Sequence, residues 1–330
     1  MSRIAGFAPL IRRAGCSRAY ALPRLTQRHP RPTPKPFVAN YSAGASESSR
    51  TSTESKPNPS HPLPDVGKKR LADFDLAGRT YIVTGGAQGL GIALAEGLVE
   101  AGGKVYCLDR LEEPGQYWHE AKSRVVPEWG GGLEYRQVDV TDTDNLNSVI
   151  AGIAEENEGI HGLIASAGVQ QVTPAIEYAV EDVRKMLDVN YTGVFMAASA
   201  VARQMMRYKC RGSICAIASI SGSMANPGLL TPVYNSSKAA VIQLCRNLAM
   251  EWAEHGIRVN SLSPGHLMTP MVRKNFEDEP HLEKLWKSQI MMGRLGDPSD
   301  FKGPALFLLS NASGFVTGAD LVVDGGRTAW

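Results

Sequence analysis

Long apolar runs are missing from this 330-residue chain. The best candidate, near Val194 to Val201, is interrupted by Ser199 and falls short of the ~18 residues a membrane-crossing helix needs. No Cys-x-x-Cys occurs among the five cysteines (Cys16, Cys107, Cys210, Cys215, Cys245), and three of them fall in predicted strands or helices. They read as reduced packing residues, and no disulfide framework is implied. None of the seven histidines forms a His-x-x-x-His, and acidic residues do not cluster with them, which disfavours a metal site. No repeat period is present, which argues against a solenoid or propeller.

Acidic residues are also absent from residues 1–46, which hold Arg3, Arg12, Arg13, Arg18, Arg24, Arg28, Arg31 and Lys35. That segment carries +8 in a chain of net charge +2, so the remainder is at −6. A basic, hydroxyl-containing segment with an apolar stretch from Ile4 to Ile11 has the composition of a mitochondrial transit peptide, with Arg18-Ala19-Tyr20-Ala21 as a processing site. A mitochondrial matrix location is expected; the alternative is a basic tail without an address on a cytoplasmic protein. Nucleic-acid binding is not expected, because no aromatic residues interleave the arginines. Asn40 to Pro64 is rich in Ser, Thr and Pro and reads as unfolded linker. Residues 1–70 are thus expected to be transit peptide and linker, and 71–330 one folded domain.

Within that domain, short apolar strands alternate with helical stretches. Strands are predicted at Tyr81–Val83, Val105–Leu108, Leu133–Val138, Gly162–Ser166, Ser213–Ala218, Arg258–Leu262 and Asp320–Val323. Helices are predicted at Gly89–Ala101, Val180–Val189, Val194–Arg207 and Val233–His255. The pattern predicts an α/β fold, a doubly wound parallel sheet of Rossmann type, with a ligand crevice at the strands' carboxyl ends.

Between the first strand and its helix stands Thr84-Gly85-Gly86-Ala87-Gln88-Gly89-Leu90-Gly91. Glycines there permit a tight turn and let the backbone approach a pyrophosphate at the helix N-terminus. Asp109 ends the second strand, 18 residues past Gly91, where a carboxylate accepts from a ribose diol and repels a 2′-phosphate. NAD is therefore expected over NADP, although Arg110 beside the acid could serve a phosphate and Gln88 could not. Asp139 and Val140, after the third strand, would rest at the adenine edge; Asp139 could equally be a strand-end acid or helix cap.

Tyr234 and Lys238 lie four apart in a predicted helix, so phenol and ammonium share one face. Bringing a phenol from a pKa of roughly 10 to ~7 takes about 4 kcal/mol, which a nearby cation can supply in a partly desolvated site. The pair is expected to form a base.

Together these motifs make residues 73–330 resemble the short-chain dehydrogenase/reductase family, of the kind about 250 residues long, and in particular fungal polyol and sorbose reductases. Thr84 to Gly91 is similar to its Thr-Gly-x-x-x-Gly-x-Gly, and Tyr234/Lys238 to its Tyr-x-x-x-Lys. Asn190 resembles the family's active-site asparagine, and Ser219 its serine, with Ser221 left as the alternative. Pro264-Gly265 with Thr269 resembles the nicotinamide-side motif, and Val323-Asp324-Gly325-Gly326 also fits. Where the family usually reads Asn-Asn-Ala-Gly, this chain has Ala165-Ser166-Ala167-Gly168, which places local bracing of the sheet in doubt.

The resemblance implies oxidation of a secondary alcohol or its reverse. Ser219 would hold the substrate oxygen, Tyr234 would take its proton, Lys238 would support the phenolate and grip the nicotinamide ribose, and Asn190 would position a relaying water. Ala167 would lie beside the cofactor. Residues 266–295 are expected to form a substrate lid with Phe276, Leu282, Leu285, Trp286, Ile290 and Met291 on one apolar face. Gln170, Gln171, Met224, Asn226 and His266 are the pocket candidates, whose polarity suits a polyol/ketose pair. The alternatives are a mitochondrial 3-oxoacyl-carrier-protein reductase and a non-catalytic nucleotide-binding or assembly protein. In the family, paired helices such as those near Val194 to Arg207 and Val233 to Glu254 build dimers and tetramers, so the resemblance implies a homodimer or homotetramer.

Overall fold

Parallel strands need a crossover to connect them, and the helical stretches between these strands are long enough to provide it. The computed structural model describes residues 71–268, 272–273, 276–277 and 280–330. The expected transit peptide and linker over 1–70, Cys16 and Thr269 lie outside the described residues. The strands are β1 (Thr80–Thr84), β2 (Lys104–Asp109), β3 (Gly132–Gln137), β4 (Gly162–Ala165), β5 (Gly212–Ile217), β6 (Ile257–Pro264) and β7 (Asp320–Val323). The helices are α1 (Gly89–Glu100), α2 (Gln116–Ser123), α3 (Thr143–Glu156), α4 (Val180–Leu187), α5 (Val194–Arg207), α6 (Pro232–Trp252), α7 (Pro280–Ser288) and α8 (Lys302–Leu309).

The strand order is β3-β2-β1-β4-β5-β6-β7, with every pairing parallel, as the alternating pattern predicts. Order reverses at β1, where Thr84 stands beside Leu108 on one flank and Ala165 on the other. A crevice opens there, because the connections leave in opposite directions.

Alternation along the strands divides the core. Tyr81, Val83, Cys107 and Ile164 face a layer that includes Leu94 and Leu98 of α1 and Leu308 of α8. Ile82, Tyr106, Leu108 and Leu163 face the other, with Leu146 of α3, Val201 of α5 and Leu248 of α6. Full burial of each such side chain contributes about 1.5–3 kcal/mol.

The four described cysteines are buried and free, in line with a packing role. Burial pushes the Cys107 and Cys245 thiols up to about 12.

The apolar face predicted over 266–295 forms only in part. Phe276, Ile290 and Leu295 are buried in a small cluster flanked by Leu282 and Trp286. Leu285 and Met291 are exposed, because that cluster closes on itself without them. Between α5 and α6 runs a groove of about 410 Å³, lined in part by Phe195, Ser199, Arg203 and Glu251.

Candidate active site

The glycine turn before α1 is shaped by close approach. Gly85 and Gly89 have φ of 67° and 60°, where a side chain is strained. A Cβ on Gly85 would sit 2.8 Å from Ala167 Cα, and one on Gly91 only 2.1 Å from the Gly85 carbonyl oxygen. Nothing lies within 4 Å of the same position on Gly89, so space remains in front of the turn. Gln88 occupies the cap position in extended conformation, and no side chain caps the helix. The first amides of α1, from Gly89 and Leu90 onward, thus face outward with the positive end of the helix, which suits a pyrophosphate.

Asp109, at the end of β2, accepts from the Ala87 amide at 3.1 Å through Oδ2. It braces the turn from the end of β2. Arg110 beside it is exposed. Asp139 takes the Thr141 amide at 2.9 Å and the Thr141 hydroxyl at 2.7 Å on one oxygen, and these bonds hold its carboxyl below the usual range. It acts as a turn cap, while the neighbouring Asp142 caps α3 by accepting from Asn145. Val140 is buried, with its methyl against Gly193. Pro264 ends β6, and Gly265 follows so close to Asp324 that a Cβ would lie 2.6 Å from its Cα.

Ser166, in place of the family's amide, donates to the Thr84 carbonyl, and the Ala167 amide reaches Thr84 Oγ1 at 3.4 Å. The ends of β1 and β4 are braced with a shorter side chain.

The predicted helix Val180–Val189 stops at Leu187 and opens into a π-helical turn over Asp188–Gly193. The extra residue rotates Asn190 to a fully buried position. Its Oδ1 accepts from the Val169 amide at 2.8 Å, and its Nδ2 donates to the Val169 carbonyl at 2.9 Å and to Ser237 Oγ at 3.1 Å. Ser237 in turn donates to the Tyr234 carbonyl at 2.7 Å. Asn190 therefore ties the loop after β4 to the helix bearing the tyrosine. A Cβ on Gly168 would lie 3.4 Å from Asn190 Oδ1 and 3.6 Å from Lys238 Nζ, so both atoms border that glycine.

Tyr234 and Lys238 do share one face of α6, with Nζ 5.7 Å from the ring centroid. Charge does not follow the expectation. Burial raises the phenol above its ordinary value, opposed by a hydrogen bond with the Ser219 hydroxyl. Burial also pulls the Lys238 ammonium down to about 8, and Nζ donates to the Ile217 carbonyl at 2.7 Å. Desolvation opposes both charged forms and outweighs the lysine's influence on the phenol. Ser221 is turned elsewhere, its hydroxyl accepting from Asn226 Nδ2 at 2.7 Å. A hydroxyl and a phenol in contact, with an ammonium one turn along, can hold an oxygen and move one proton to or from it.

Among the pocket candidates, Gln171 is withdrawn, its amide donating to Thr173 and Asp182. Met224 is half-buried and Gln170 exposed. His266 is half-buried and stacks on Trp286 at 4.5 Å between centroids, and burial and the nearby Arg327 bring its pKa down to about 4. Ser237 leaves no signal in the sequence, since its role depends on Asn190, 47 positions away.

Residues 85–328 match the family model described as Enoyl-(Acyl carrier protein) reductase. Short chain dehydrogenases/reductase notP' of Aspergillus versicolor is 39% identical over 283 residues, covering 84% of this chain and 95% of the relative. Galactitol 2-dehydrogenase of Rhizobium johnstonii is 37% identical, covering 78% and 98%. The solved structure of a gluconate 5-dehydrogenase from Burkholderia cenocepacia J2315 in complex with NADP and tartrate is similar at a TM-score of 0.71 and 31% identity, covering 78% of this chain and 98% of that one.

The lowered lysine has a consequence for stability. Below pH 8 it is charged folded and unfolded, and the full burial cost of about 3 kcal/mol is present. Between about 8 and 10.5 the unfolded chain binds more protons than the folded one, so the cost is relieved as pH rises. Urea denaturation at pH 7.5 and 9.5 should show the wild type gaining about 2 kcal/mol on Lys238→Met. An unchanged difference would refute the assignment.

Proposed function

Because the chain belongs to the short-chain dehydrogenase/reductase family, we propose that it interconverts a secondary alcohol of a polyol and the matching ketose, with NAD(H) as hydride carrier. Membership makes it an oxidoreductase acting on CH–OH donors with NAD(P). The observation that carries the proposal is the contact of Tyr234 with Ser219, with Lys238 one turn along the same helix.

The nicotinamide, when bound, supplies or accepts the hydride. Gly85, Gly89, Leu90 and Gly91 would hold the pyrophosphate, Asp109 the adenosine ribose, and Ala167, Pro264 and Gly265 the nicotinamide side. Ser219 holds the substrate oxygen, and Tyr234 gives it a proton in reduction or takes one in oxidation. Burial keeps the phenol protonated near neutral pH, which suits reduction; oxidation gains as pH rises. Lys238 would grip the nicotinamide ribose, and a water between it and Asn190 at Gly168 would return the proton to solvent. The galactitol 2-dehydrogenase relative supports a polyol.

Tyr234→Phe is expected to lower kcat roughly 10²- to 10⁴-fold while NADH binding, read by fluorescence, stays intact. Ser219→Ala should lose comparably and Ser221→Ala far less; the opposite order would exchange their roles. Assays on polyols, ketoses and a 3-oxoacyl thioester separate the main proposal from the acyl-carrier alternative.

Asp109 favours NAD through its carboxylate. Asp109→Asn should reduce the NAD preference in kcat/KM by roughly tenfold or more. A wild type that prefers NADPH would overturn the cofactor assignment.

Self-association through the α5–α6 groove belongs to the same proposal. Arg203 of α5 and Glu251 of α6 line the groove with the exposed Phe195, a mixed apolar and charged face that a second copy could cover. Sedimentation should show an oligomer for the wild type and a monomer for Phe195→Glu; a monomeric wild type would refute it.

A further inference from the structure

Arg327 lies four residues beyond β7 and is 9% exposed. Among the described residues its guanidinium joins no ion pair, and its buried Nε has no hydrogen-bond partner. A guanidinium stays charged throughout the working range, and its planar fork of donors matches a carboxylate. Buried charges persist where something pairs them, and among the described residues nothing does, which leaves this guanidinium open to an anion that binds beside it.

Neither Asp324 nor Asp300 forms an ion pair with it. Asp324 accepts from the Gly326 and Thr328 amides at 2.9 and 2.7 Å. Asp300 is held by Arg294 through two bonds of 2.6 and 3.0 Å. His266, which feels the charge of Arg327, is neutral at physiological pH and adds no second cation.

Position connects this cation to the reaction. Ile217 of β5 stands opposite Leu262 of β6, and Pro264 of β6 opposite Val323 of β7. Ser219, His266 and Arg327 therefore leave the same carboxyl edge of the sheet on three successive loops. β5 and β7 are two strand spacings apart, about 10 Å. At this edge His266 stacks on Trp286 of α7, and Gly326 packs against Met291.

We propose that Arg327 reads an anionic end of the substrate, and that the favoured substrate is a polyhydroxylated carboxylate rather than a neutral polyol. The proposal rests on the alcohol/ketone activity proposed above, with the reacting carbon at Ser219 and the hydroxylated chain directed towards the loop after β7. One guanidinium beside a neutral imidazole suits a monoanion, so a carboxylate is preferred to a phosphate ester.

The full-length protein is assayed with NAD⁺ on five- and six-carbon alditols, the matching aldonates and the matching terminal phosphate esters, and again as Arg327→Met and Arg327→Lys. Aldonates should exceed alditols in kcat/KM by roughly 10- to 100-fold, mainly through KM. Arg327→Met should bring that ratio to about one, with Arg327→Lys in between. Aldonate should also raise the melting temperature of the NADH-loaded wild type but not of Arg327→Met. Should Arg327→Met fail to fold, the wild-type ratio and Arg327→Lys decide. Alditol turnover without an aldonate advantage, or an advantage that survives Arg327→Met, overturns the proposal and leaves alcohol oxidation standing. Preference for the phosphate esters overturns the carboxylate assignment. Turnover of none of the panel overturns the polyol assignment as well.

Discussion

A buried ammonium held by a single carbonyl is the contact on which the site depends. Lys238 donates to the carbonyl of Ile217, the last residue of β5, and so fixes α6 against the strand that continues to Ser219. One turn earlier on the same helix, Tyr234 meets the Ser219 hydroxyl as a consequence of that docking. The low-dielectric surroundings that make the contact rigid also oppose both charged forms, phenolate and ammonium. The resting pair is thus a protonated phenol beside a weakened cation. Proton transfer to a substrate oxygen is closer to this state than proton removal from one.

The surrounding polar groups act mainly as fasteners. Asn190 closes on the backbone of Val169 and on Ser237, and Ser237 closes on Tyr234, so three segments distant in sequence share one network. Ser166 and Thr84 do the same between β1 and β4. Each bond is worth about 0.5–1.5 kcal/mol net, but breaking one would leave a buried group unsatisfied at about 1–3 kcal/mol. That asymmetry, more than the sum of the bonds, keeps the crevice in one shape.

What was legible in the sequence follows from how local each cause is. The short apolar runs between helical stretches mark all seven strands, and the glycines of the turn announce their close approaches, because both depend on residues within a few positions. Val194–Arg207 and Asp320–Val323 were placed to the residue. The π-helical turn escaped notice, since a one-residue insertion leaves the surrounding helical periodicity almost unaltered. Charge states depart from the expectation for another reason. A four-residue spacing gives the approach of phenol and ammonium but not the desolvation acting on each, which arises from strands far away in the chain. Gln171 likewise reads from the sequence as a pocket amide, whereas the fold bonds it to Thr173 and Asp182.

The buried thiols described with the core have a further use. Cys107 lies beneath Gly86 in the layer carrying α1, while Cys210 is buried in the loop before β5, Cys245 on α6 and Cys215 within β5. None can meet a labelling reagent without part of the structure opening, so the rate at which each is modified measures the opening free energy of its own neighbourhood. The protein therefore carries internal probes of local unfolding, one of them directly under the glycine turn. A ligand seated on that turn would slow the exposure of Cys107 by its own binding energy, and could be followed without any turnover.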